Sequence, residues 1–138
     1  MMSRYYKDPV STEKAFSDGW LRTGDVARMD QDGFFYIDGR MKDVIISGGE
    51  NIYPVPIEGF LRGHPAVKDA AVFGICDCRM GEAAAAKVCL TQPGACTEGE
   101  LLAFCRKLPK FQRPRKIFFG EVPRNPTGKI DKAALRRE

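Results

Sequence analysis

The stretch Pro123-Arg124-Asn125-Pro126-Thr127-Gly128-Lys129-Ile130-Asp131-Lys132 puts one lysine at the tip of a loop that is restrained at some positions and free at others. Pro123 and Pro126 fix φ and remove backbone donors, while Gly128 leaves the backbone beside Lys129 unhindered. Such a loop can hold a long cationic side chain away from its domain, towards an anion that the domain itself need not contain. The same residues also build an ordinary surface turn with a solvated lysine. Two further segments draw attention. Gly39-Arg40-Met41-Lys42-Asp43-Val44-Ile45-Ile46-Ser47-Gly48-Gly49-Glu50-Asn51-Ile52-Tyr53-Pro54 joins a charged cluster, a short β-branched strand and a paired-glycine turn. Upstream, Asp18-Gly19-Trp20-Leu21-Arg22-Thr23-Gly24-Asp25 sets a carboxylate in a Thr-Gly-Asp turn, which it can stabilise.

The elements that position these residues follow an α+β pattern from Asp43 onward. A strand is predicted over 44–46, and a helix over 54–62 with Pro54 in its first turn and Gly63 then Pro65 ending it. Strands over 67–75 and 83–90 follow, joined by a polar loop through Asp77, Arg79 and Gly81. The alanine run 83–86 is also compatible with helix. Thr97-Glu98-Gly99-Glu100 fits a capping box for a helix over 98–108. A last strand covers 117–119, and Asp131 caps a terminal helix through Arg137. Before residue 38 the chain reads as loops and short strands. A brief helix starts at 11–16, and a strand over 33–37 follows an Asp-Gly turn. This part holds too few apolar residues for its own core and reads as the edge of something larger.

Composition excludes several classes. At 138 residues, 43% hydrophobic and 29% charged, the chain is an ordinary globular protein of one or two small domains. No apolar run nears the roughly 20 residues that span a bilayer, and Met1-Met2-Ser3-Arg4-Tyr5 lacks a signal peptide's apolar core, so a cytoplasmic location is expected. The net charge of +4, with its bases concentrated between Arg106 and Arg137, suits a solvated face or an anion site. No helix-turn-helix or zinc-finger pattern accompanies it, so no nucleic-acid partner is expected. Cys76, Cys78, Cys89, Cys96 and Cys105 are odd in number without Cys-x-x-Cys spacing, and His64 is the only histidine; reduced thiols, with no metal site, are the expectation.

The three segments, in this order, resemble the C-terminal part of the adenylate-forming acyl-CoA synthetases, and the resemblance covers nearly the whole chain. It implies a small mobile α+β lid domain, a short mixed sheet flanked by helices, over 44–138. A hinge over 40–43 and, over 1–39, the strand-rich terminal strip of a large AMP-binding domain precede it. The implied reaction is carboxylic acid plus ATP plus CoA giving acyl-CoA, AMP and pyrophosphate. By this resemblance Lys129 is the adenylation lysine, a point charge on a mobile loop that meets carboxylate and phosphate oxygens. Asp25 is similar to the aspartate that accepts from the ribose hydroxyls, and Arg40 matches an arginine contacting ribose or phosphate. Lys42 occupies the hinge position, with a plain solvated charge as the other account. Gly48 and Gly49 resemble the turn whose backbone approaches the pantetheine arm of CoA; a tight hairpin is compatible with that role.

The wording 47–54 is closer to fatty-acyl and benzoate-type ligases than to peptide-synthetase domains, which implies CoA as acceptor; a fatty acid is the expected substrate. Pro56 and Cys76 depart from the family, which commonly has glutamate and proline there. The Gly-rich phosphate loop and the acyl pocket, which the family keeps on its large N-terminal domain, are not in this sequence. That domain is the expected partner and holds the Mg²⁺ with its ATP. Alone, the chain is expected not to make acyl-adenylate. The competing reading is a stand-alone, non-catalytic module that binds CoA, a nucleotide or a partner enzyme.

Overall fold

Asp8 starts the first element. Its Oδ1 accepts from the Ser11 backbone N–H at 2.9 Å, and Pro9, at the first helical position, has no donor to leave unsatisfied, giving α1 (Pro9–Ala15). The cap thus lies upstream of Ser11, where the sequence placed the helix start. Phe16 leaves the helix for β1 (Phe16–Ser17), which pairs antiparallel with β2 (Trp20–Leu21). β3 (Asp25–Met29) and β4 (Phe35–Arg40) form a second antiparallel pair, with a bulge between Val26 and Ala27. Asp30 shapes their turn: its carboxylate accepts from the N–H groups of Asp32 and Phe34 and from the Tyr36 hydroxyl. The sequence reading missed β3 and started β4 two residues early.

The computed structural model describes residues 2–137, which divide after Lys42 into two units. In the first, Gly39 is the one buried residue among those described, while Trp20 is 78% and Phe35 73% exposed. A strand there has no buried face to impose an alternating pattern, which is why β3 carries no period-2 signal.

A single 3-10 turn, Met41–Asp43, leads into the second unit. There β5 (Ile45–Ser47) and β6 (Glu50–Ile52) form a tight hairpin, followed by α2 (Pro54–Arg62) and the long pair β7 (Val67–Asp77) and β8 (Gly81–Leu90). Then come α3 (Glu98–Phe104), β9 (Lys116–Phe119) and α4 (Lys132–Leu135). β8 is central. β7 pairs antiparallel along one edge; the other is shared by β5, antiparallel at Ser47↔Gly81, and β9, parallel over Ala85–Val88. The sheet is therefore mixed and the architecture α+β, as the sequence implies.

Both sheet faces are covered, so β7 and β8 read as continuous apolar runs. Val72, Ala84, Ala86 and Val88 pack with Ile57 and Leu61 of α2 and Leu101 of α3. Ala71, Phe73 and Ala85 pack with Val122 and with Leu135 of α4. Burial on two faces settles the alanine run as strand. The expected loop after residue 75 is instead ladder, through Cys76↔Glu82 and Asp77↔Gly81. Cysteine at 76 keeps the backbone donor that proline lacks. The remaining turn is held by Asp77, whose Oδ1 accepts from the N–H groups of Arg79 and Met80, both at 2.9 Å. Pro56 sits in the first turn of α2, where a missing N–H costs nothing. Among the described residues no helix is long and apolar enough to cross a membrane.

The capping box of α3 is present as read. Thr97 Oγ1 accepts from Glu100 N–H at 3.3 Å, and Glu100 Oε2 accepts from Thr97 N–H at 2.8 Å. The helix ends at Phe104 and tightens into a 3-10 turn, Cys105–Lys107, short of the predicted 108. The Thr97 N–H and hydroxyl hold the Glu100 carboxyl below the usual range, as the Arg79 and Met80 N–H groups do for Asp77 and the Phe34 N–H and Tyr36 hydroxyl for Asp30. A depressed folded-state pKa gives stability that is complete above the unfolded carboxylate value and is lost as pH falls through the folded one. Thermal unfolding should therefore be nearly flat from neutrality to about pH 5 and decline below about pH 4. Glu100→Gln should make that decline shallower; an unchanged acid limb would show that the box contributes no pH-linked stability.

Candidate functional site

The loop that carries Lys129 is closed at its neck by backbone. Arg124 and Ile130 form an isolated antiparallel bridge, the Asn125 N–H donates to Lys129 O, and the Asp131 N–H donates to Pro123 O, both at 2.8 Å. Inside it, Asn125 Oδ1 accepts from the N–H groups of Thr127 and Lys129 at 3.1 and 2.9 Å and from the Thr127 hydroxyl at 2.7 Å. Gly128 takes φ +80°, the left-handed conformation that the turn needs before Lys129. Lys129 is exposed.

Both legs of the loop are tied to the body of the unit. Arg124 donates to Gly128 O at 2.8 Å and to Asp69 Oδ2 on β7 at 2.6 Å. On the other leg Asp131 caps α4, its Oδ1 accepting from Ala134 N–H at 3.0 Å. Lys132 then reaches Glu58 Oε1 on α2 at 3.0 Å. α4 is a single turn, followed by Arg136 and Arg137 outside it. Sequence reasoning singled out the loop that carries Lys129 and missed its anchors, though one signal was present. Pro54, Ile57, Glu58 and Leu61 stand at i, i+3, i+4 and i+7, which sets a carboxylate on the apolar stripe of α2, where it needs a partner.

Gly48 and Gly49 make the whole turn between β5 and β6, flanked by the Ser47↔Glu50 pair. Their φ values of +57° and +86° are those of a type I′ turn, which other residues enter with strain. The Gly48 N–H donates to Met80 O at 2.8 Å, and a Cβ on Gly48 would lie 2.2 Å from Met80 Cε. Beside the turn lies a cavity of about 430 Å³ whose wall includes Ser47, Met80, Phe111, Lys110 and Arg115. Arg113, also in that wall, is committed to the backbone: it donates to Leu108 O and Arg106 O, both at 2.8 Å. Arg115 is paired with Asp77. The sequence reading did not find this cavity, whose wall is brought together from β5, β6, β8 and the segment 110–115.

Asp25 and Arg40 stand opposite each other in the β3–β4 ladder. Arg40 Nε lies 2.9 Å from Asp25 Oδ1, and its Nη1 donates to Thr23 O at 2.8 Å, so the guanidinium braces the Thr-Gly-Asp turn. Neither contact uses Nη2. Lys42 is exposed in the Met41–Asp43 turn. All five cysteines are free, Cys76 and Cys78 exposed, Cys96 and Cys105 buried. Burial, with the Glu100 carboxylate nearby, pushes the Cys96 thiol up. Among the described residues no group of three or more His, Cys, Asp or Glu could hold a metal ion.

Comparison with known proteins places the chain in a family. Residues 56–129 match the family model of the AMP-binding enzyme C-terminal domain. The chain is similar over its full length to the long-chain-fatty-acid–CoA ligase FadD13 of Mycobacterium tuberculosis, at 44% identity over 140 residues, and spans 28% of that protein. Among solved structures it resembles the o-succinylbenzoate CoA synthetase MenE of Bacillus subtilis in complex with its acyl-adenylate intermediate. There the TM-score is 0.90 at 40% identity, over 97% of this chain and 28% of that one. It also resembles the amide bond synthetase McbA of Marinactinospora thermotolerans, with a TM-score of 0.92 at 38% identity over 99% of this chain and 28% of that one. With over half of its residues matched by the family model, the chain belongs to the AMP-binding enzyme C-terminal domain family.

Proposed function

We propose that the chain is the C-terminal part of an AMP-forming acyl-CoA synthetase, converting a carboxylic acid, ATP and CoA to acyl-CoA, AMP and pyrophosphate, with a fatty acid as substrate. The observation that carries the reading is that one α+β unit bears an exposed lysine on an internally bonded loop and, elsewhere, a glycine turn beside a cation-bearing cavity. Two such features suit two half-reactions. In the first, Lys129 places a point charge where the carboxylate and phosphate oxygens concentrate negative charge. Asp25, braced by Arg40, accepts from the ribose hydroxyls. In the second, the Gly48–Gly49 backbone lets the pantetheine arm come close, where a side chain would fill the space against Met80. Lys110 beside Phe111 suits the phosphates and adenine of CoA.

On this reading residues 1–39 are the last strip of the large domain, 40–43 the hinge with Lys42 in it, and 44–138 the lid. Exposed Trp20, Phe34 and Phe35 on the strip suit packing against the rest of a large domain, which holds ATP and its Mg²⁺. The five free thiols suit the reducing cytoplasm. The test uses the longest polypeptide encoded with this segment. It should catalyse acid-dependent ATP–pyrophosphate exchange and form acyl-CoA from a fatty acid, whereas these 138 residues alone should do neither. Failure of the long form with every acid tried, together with tight CoA or AMP binding by the isolated chain in calorimetry, would instead support a non-catalytic binding module.

A further inference from the structure

Glu58 is the charged residue most removed from solvent among those described, at 4% exposure. Its Oε1 accepts from the Val72 N–H of β7 at 2.9 Å and from Lys132 Nζ at 3.0 Å, and the Lys132 side chain is itself only 13% exposed. No role assigned so far uses this pair. An ionised carboxylate and an ammonium are costly to bury, and a well-packed apolar pair in their place is often as stable or more so. What the ion pair adds is direction. A hydrogen-bonded ammonium fixes one placement of the first turn of α4, which an apolar side chain would hold less specifically.

That turn matters because of what precedes it. Lys132 follows Asp131, whose N–H closes the neck of the loop on Pro123 O, and the neck continues through the Arg124↔Ile130 bridge to Lys129. The inner geometry of the loop is set by Asn125, so the place of Lys129 relative to the sheet is set by the anchors of its legs, Arg124 on Asp69 and Lys132 on Glu58. We propose that Glu58 and Lys132 are a positioning pair for Lys129, holding its loop in the register on α2 and β7 that adenylation requires. The inference rests on the reading of Lys129 as the adenylation lysine. It also means that the lysine moves with its domain as one piece, the loop itself being stapled.

The test measures the two half-reactions separately, in single turnover, in the full-length enzyme that contains this chain. Lys132→Met should slow acyl-adenylate formation about tenfold through misplacement of the loop, with KM for ATP and acid changed less than about twofold. Thioester formation from supplied acyl-adenylate should stay within about twofold of wild type, and Lys132→Arg should recover most of the lost rate. Glu58→Gln keeps an acceptor for the Val72 N–H and should slow adenylation by about threefold, and the double variant should be no slower than Lys132→Met alone. Should Lys132→Met fail to fold, Glu58→Gln carries the test. An equal fall of both half-reactions together with a lower Tm would make the pair merely structural and overturn the proposal. Lys129→Ala is run alongside. If it leaves adenylation intact, the reading of Lys129 itself fails; if it abolishes adenylation while Lys132→Met and Glu58→Gln both match wild type, only the positioning pair fails.

Discussion

On the proposed reading, replacing Lys129 with alanine should slow acyl-adenylate formation in the full-length polypeptide by about 10²–10³-fold, while thioester formation from a supplied acyl-adenylate stays within about twofold. The size follows from what the side chain does. No ion pair among the described residues occupies its ammonium, and the bonded loop presents it without rearrangement. A preorganised charge meeting developing negative charge is worth far more than one in water. The side chain is exposed, so the substitution should change stability by no more than about 0.5 kcal/mol, and a matching Tm would separate chemistry from folding. Lys129→Arg should recover part of the rate, because the charge returns but the planar fork does not match a compact ammonium. Adenylation by Lys129→Ala at the wild-type rate would remove the lysine from the mechanism.

Gly48→Val should leave adenylation nearly intact and slow thioester formation by about a hundredfold. Two effects combine. At φ +57° a β-branched residue is strained by roughly 1–3 kcal/mol. Its Cβ would also fall 2.2 Å from Met80 Cε, driving that side chain into the neighbouring cavity. Gly49→Ala separates the two, since a Cβ there meets nothing within 4 Å, leaving only the cost of its +86° φ. It should therefore be the milder variant in acyl-CoA formation. Equal thioester rates for wild type and Gly48→Val would mean that no ligand approaches this turn closely.

Much of the second unit was legible because its signals are local. Proline in the first turn of α2, the Thr97–Glu100 box of α3 and the Asp131 cap of α4 each depend on neighbours a few residues away. The lysine loop and the glycine turn were legible as local geometry for the same reason, each being spelled by adjacent residues. What escaped depends on distant partners. Nothing next to Glu58 in the chain names Lys132, and nothing next to Arg124 names Asp69. The extension of β7 to Asp77 runs through Cys76, which stands opposite Glu82 in the ladder and carries none of proline's backbone restraint. β3 was lost for the opposite reason: it lies in a unit with almost no interior, so burial wrote no pattern into it.

The parallel pairing of β9 with β8 has a consequence for how the molecule is assembled. β7 and β8 are joined by a short turn and can zip together as soon as both have left the ribosome, whereas β9 must wait for the whole crossover that contains α3. The segment after β9 comes later still and docks Val122 and Leu135 on a sheet face that already exists. Synthesis therefore runs from scaffold to lysine loop. A variant truncated before Lys132 would retain the sheet and the α2–α3 side of its core yet lose the Glu58 anchor of the lysine loop, a loss that secondary-structure measurements would miss and a functional assay would reveal.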